Sequence, residues 1–139
     1  MSEQTKAARE QLAERGRVVR RELLGPAATD RLDASTYTDA PLMQKFRDFN
    51  NEVIFGVLWD RDGIDLKTRS LVTTIADVAT GQTEALSLHL RFCLRHGWTV
   101  EEITECIIHL TGYVGVPLVR RALVTAEEVF ATIAAEGGA

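Results

Sequence analysis

Three histidines and two cysteines fall close enough along the chain to share one site: His89, Cys93, His96, Cys106 and His109. Histidine is the side chain whose ordinary pKa, about 6.5, suits proton transfer at neutral pH. His89 lies between Leu88 and Leu90, with Glu84 one turn ahead of it and Arg91 two residues after, so a carboxylate and a cation share its segment. That company marks His89 as the candidate proton donor; the plainer alternative is a hydrogen-bonded histidine in a core or an interface. The spacings His89-x3-Cys93 and Cys106-x2-His109 put each pair on one helical face. Two His with two Cys would satisfy tetrahedral zinc. Each cysteine, however, sits in an apolar stripe, where a free thiol behaves as a small hydrophobe, and no metal is expected. A Cys-x-x-Cys pair, a phosphate loop, a Gly-x-Ser-x-Gly elbow and a dinucleotide fingerprint are all missing from the sequence.

These residues need helices to position them. Strand signals are nearly absent, with no Asn-Gly or Asp-Gly hairpin turn and no sustained alternation. A first helix is predicted from Glu3 to Leu24, stopped by Gly25-Pro26. Its Arg15, Arg17, Arg20 and Arg21 are offset by Glu10, Glu14 and Glu22 and read as a solvated face. Residues 26–40 lack a clear period and read as a loop with one helical turn. Pro41 suits a first helical turn, and Phe46, Phe49, Val53, Val57 and Leu58 follow at helical spacing up to Trp59. Asp60-Arg61-Asp62-Gly63 breaks the pattern.

The second half is better marked. Asp65 is placed to cap a helix closed by Gly81. Thr83 opens the next helix, which ends at Gly97. Thr99 and Glu102 form a capping box for a helix that holds Ile103, Cys106, Ile107 and Leu110 and frays at Gly112. Pro117 begins a last helix that runs to Gly137-Gly138. The sum is an all-α bundle of about six helices, read as one domain over residues 1–139, with short loops between antiparallel neighbours. The helices of residues 65–130 are apolar around more than half their circumference, so part of that surface is expected to meet other subunits.

Composition narrows the function. The chain has 139 residues, 45% of them apolar, which suits a globular domain. Sixteen Lys and Arg against twenty Asp and Glu leave a net charge of −4, which argues against nucleic-acid binding. No apolar run is long enough to span a membrane, the polar N-terminus is no secretion signal, and two cysteines are too few for a disulfide framework. A cytoplasmic protein is expected.

The second half, taken in order, resembles the carboxymuconolactone decarboxylase family. The segments Lys67-Thr68-Arg69-Ser70-Leu71-Val72-Thr73, Glu84-Ala85-Leu86-Ser87-Leu88-His89-Leu90-Arg91, His96-Gly97-Trp98-Thr99 through Glu105, and Tyr113-x-Gly115-Val116-Pro117 carry the resemblance. It is collinear over about residues 65–130, and the helix around Phe46–Phe55 fits the same pattern. It implies a family-like helical core over about residues 40–135, of the alkylhydroperoxidase-D-like type, behind an N-terminal helix over residues 1–25. The family's peroxidase branch uses a glutamate, eleven residues, Cys-x-x-Cys, three residues and a histidine. Anchored on His89, that pattern falls on Ser70, Gln82 and Ala85, so thiol peroxidase chemistry is not expected.

The decarboxylase branch, by contrast, implies a cofactor-free lyase of aromatic catabolism, in the β-ketoadipate pathway. It would turn 4-carboxymuconolactone into 3-oxoadipate enol lactone and carbon dioxide, as a trimer or hexamer. In that reading His89 and Glu84 are the catalytic pair, and Arg69, Arg91, His109 and Tyr113 are substrate-binding candidates. Five residues turn about 140° round a helix, so Glu84 either sets the state of His89 or serves the helix dipole. Arg69 is a carboxylate clamp or a surface ion pair, and Arg91 faces another pocket wall or a subunit contact. His109 lines the pocket with Tyr113 or packs in the core. The alternatives are a relative turned to another substrate in secondary metabolism and a non-enzymatic oligomeric binding protein.

Overall fold

A computed structural model describes residues 1–37 and 40–138. Among these the chain is all-α, without a strand. It forms two compact units, residues 1–64 and 65–139.

The first unit contains α1 (Glu3–Leu24), α2 (Pro26–Thr36) and α3 (Pro41–Phe49), which continues without a break as a π-helical segment (Asn50–Trp59). Helix α2 occupies most of the predicted loop, whose residues 38–39 lie outside the described residues. It forms without an apolar period for two reasons. Pro26 presets its first turn, and its carboxylates face α1. Asp33 accepts from Arg20 at 2.7 Å and Asp30 from Arg21 at 2.8 Å, while the buried Thr29 hydroxyl donates to the Gly25 carbonyl. Arg20 is therefore no part of a solvated face; it is 5% exposed. Two further ion pairs, at 2.6 Å each, tie α1 to the π-helical segment through Arg9 and Glu52 and to the residue that follows it through Arg15 and Asp60.

The π-helical winding is a departure from the α-helix that apolar spacing predicts. It falls where the segment and α1 approach most closely. A Cβ on Gly16 would lie 1.7 Å from the Asn51 carbonyl oxygen, and one on Gly56 would lie 2.2 Å from that of Leu12. Only two glycines let these backbones meet.

The second unit contains α4 (Leu66–Thr80), α5 (Thr83–Arg95), α6 (Val100–His109), the single turn α7 (Thr111–Val114) and α8 (Val116–Ala135). Its ends are those the sequence marks. Asp65 accepts from the Thr68 amide at 2.7 Å, Gly81 closes α4 in the left-handed region at φ 72°, and Thr99 and Glu102 form the reciprocal capping box. The chain breaks at Leu110 and resumes as α7, where the sequence predicts only fraying. The core joins Val78 of α4, Leu86, Leu90 and Cys93 of α5, Ile103 and Ile107 of α6, and Val119, Ala122 and Ala126 of α8. Each fully buried Leu or Ile contributes about 1.5–3 kcal/mol, which holds α4 and α5 in fixed register. The Trp98 indole N–H donates to the Lys67 carbonyl at 2.8 Å, and the Lys67 ammonium sits over the Trp98 ring at 4.5 Å. Among the described residues no helix is long and apolar enough to cross a membrane.

Gly16→Ala should destabilise the protein by about 3 kcal/mol, at the upper end of overpacking effects, because backbone must move. Gly112→Ala, whose Cβ would meet nothing within 4 Å, should change stability by about 0.5 kcal/mol or less. Denaturant unfolding of both variants checks the contrast.

Candidate functional site

The best-defined polar pair in the second unit joins α4 to α5. His89 Nδ1 lies 2.5 Å from Asp77 Oδ2. The Asp77 side chain is 11% exposed and that of His89 20%. A carboxylate only accepts, so the Nδ1–H of His89 donates to it, which leaves Nε2 as the ring nitrogen outside this pair. The imidazole also packs edge-on to the buried Phe92, one turn on, with ring centroids 5.1 Å apart. The ring is thereby held on two sides.

Asp77 is the residue that the sequence reading misses. Its signal was legible: a carboxylate next to Val78, in the helix turn that also holds Ile75, must either face out or find a partner. Glu84, by contrast, is exposed in the first turn of α5, where an acid complements the helix dipole; the carboxylate at His89 is that of Asp77.

The other predicted site residues spread over the unit. Arg69 is half-buried in the first turn of α4, about two turns ahead of Asp77. Arg91 donates to Glu136 beyond the end of α8 at 2.8 Å. His109 ends α6 with its ring 5.2 Å from that of Tyr113, and both side chains are exposed, so His109 does not pack in the core.

The cysteines are divided in the same way. Cys93 is fully buried, with its sulfur 3.2 Å from the Thr74 hydroxyl. Burial pushes its thiol pKa above the ordinary value, more than the hydrogen bonds from Thr74 and Ser70 lower it. A raised pKa means little thiolate at neutral pH and so a poor nucleophile. Cys106, on α6, is partly exposed. Among the described residues no three His, Cys, Asp or Glu side chains converge in a group able to hold a metal ion.

The carboxymuconolactone decarboxylase family model matches residues 44–134. The 4-carboxymuconolactone decarboxylase of Acinetobacter baylyi is 37% identical over 121 residues, which cover 87% of this chain and 88% of that protein. A nitrosuccinic acid decarboxylase of Metarhizium robertsii is 27% identical over 117 residues, 84% of this chain and 80% of its own length. An uncharacterized 15.0 kDa protein of Paracoccus denitrificans is 35% identical over 82 residues, 58% of this chain and 61% of its own. The first two of these relatives are named as decarboxylases. With a matching model over most of its length and an all-α fold, the chain belongs to the carboxymuconolactone decarboxylase family.

Proposed function

We propose that the protein is a cytoplasmic, cofactor-free carboxy-lyase that converts 4-carboxymuconolactone to 3-oxoadipate enol lactone and carbon dioxide. His89 is the proton donor, and Asp77 is the residue that positions it. The observation that carries this reading is the 2.5 Å hydrogen bond from His89 to Asp77, in a chain 37% identical to a 4-carboxymuconolactone decarboxylase.

The chemistry asks little beyond a placed acid. The bond between the ring carbon and its carboxylate breaks and carbon dioxide leaves. The electron pair moves through the ring double bond onto the lactone carbonyl oxygen, so the substrate is its own electron sink. The carbon beside that carbonyl then takes a proton from Nε2 of the His89 imidazolium. The imidazole is left neutral, with its remaining proton on Nδ1, the tautomer that Asp77 stabilises. Arg69, on the same helix as Asp77, is the proposed clamp for a substrate carboxylate. Glu84 complements the α5 dipole. Similarity to the nitrosuccinic acid decarboxylase favours a second reading, in which the same pair acts on another small acid.

The protein also works as a homo-oligomer in this account. Val72 is 57% exposed, Val116 62% and Tyr113 75%, large side chains that the proposed subunit contacts would cover.

His89→Gln should keep the fold and lower turnover of 4-carboxymuconolactone by about 10²–10⁴-fold, the usual worth of general acid catalysis. Cys93→Ser and Cys106→Ser should leave turnover per folded molecule within a small factor. Carbon dioxide release measures all three. Near-normal activity in His89→Gln beside a dead cysteine variant would mean thiol chemistry instead. Light scattering should return several times the 15.4 kDa of one chain; a monomer at micromolar concentration contradicts the oligomer.

A further inference from the structure

One face of α8 carries a groove of about 380 Å³ that the decarboxylation does not use. The buried Val119 lies in it with Val116, Leu123 and Val124, and the first and last of these three are more than half exposed. Two charges stand in this apolar strip, Arg120 and Glu127. Both are exposed, and among the described residues neither has an ion-pair partner. Arg91 and Glu136, elsewhere in the unit, find each other at 2.8 Å.

The spacing of the two charges is informative. Seven residues carry the helix through nearly two full turns, so Arg120 and Glu127 lie on one side of it, about 10 Å apart along the axis. Their midpoint falls between Leu123 and Val124. A strip built this way is its own complement. Two copies of α8 laid antiparallel about a two-fold axis through that midpoint set Arg120 level with the partner's Glu127, and Glu127 level with the partner's Arg120. Leu123 and Val124 then meet their counterparts at the centre. A parallel pairing would instead set like charge on like charge, which repels.

We infer that this face of α8 docks a second copy of the chain, antiparallel, about a two-fold axis between Leu123 and Val124. The inference rests on the homo-oligomer reading and is independent of the reaction at His89. Apolar side chains form the centre of the contact, and the two reciprocal ion pairs fix its direction and register. A two-fold contact requires an even number of chains, which a hexamer satisfies and a lone trimer does not.

Sedimentation equilibrium of the intact protein at low salt tests this. The native mass should be an even multiple of the 15.4 kDa chain. Arg120→Glu and Glu127→Arg should each weaken association by about tenfold or more, because each turns two attractive pairs into two repulsive ones. Mixed in equal amounts, the two variants should associate as the native protein does, since each supplies the charge that the other lacks. His89→Gln should assemble as the native protein does. Should a charge variant lose its helical circular dichroism, Val124→Asp, at an exposed position beside the axis, takes its place and should weaken association by a similar factor. A native assembly of three chains, an assembly unchanged by these variants, or folded charge variants that stay apart when mixed would each overturn the inference and leave the homo-oligomer reading standing. A native monomer would overturn both.

Discussion

The structure of the second unit turns on one hydrogen bond, from the His89 imidazole to a carboxylate on the neighbouring helix. A carboxylate taken out of water is costly unless it is paired, by several kcal/mol for a fully buried charge. Asp77 is 8% exposed and meets that condition only if α4 and α5 stand in one register. The apolar contacts impose that register. Val78 follows Asp77 on α4, while Leu86, Leu90 and Cys93 bracket His89 on α5, and all four apolar side chains enter the same core. Packing supplies the energy, and the polar pair supplies the direction of the ring.

The same logic explains why Cys93 is inert in this account although it lies one turn from His89. It faces the core and Thr74, while His89 keeps a fifth of its side chain open to solvent. Neighbouring positions on one helix are thus divided between packing and chemistry by their angle round the axis. In the first unit that division is made with charge. Arg20 and Asp33 form a half-buried pair between α1 and α2, where an apolar stripe would ordinarily stand.

Much of this was legible in the sequence, for physical reasons that differ by element. The ends of α4 and α6 are local: Asp65, Gly81 and the Thr99–Glu102 box need only their own backbone, so their residue types announce them. His89 was legible because histidine chemistry is specific. The partner of His89 was harder, since Asp77 lies twelve residues away and only the packing of two helices brings it near. Glu84, closer in sequence, points away round the helix. Helix α2 was missed because its stabilising contacts are ion pairs to α1, which leave no periodic trace. The close approach of the π-helical segment to α1 likewise involves Gly16 in another helix.

The central claim is that Asp77 fixes the His89 tautomer, so that Nε2 is the nitrogen that delivers the proton. Nitrogen-15 NMR of the imidazole, in the native protein and in Asp77→Asn, tests it most directly. The account predicts that Nδ1 of His89 holds its proton in the native protein whether or not Nε2 carries one, with a strongly downfield Nδ1 proton that is lost in Asp77→Asn. A native His89 protonated at Nε2, with Nδ1 bare, would contradict it.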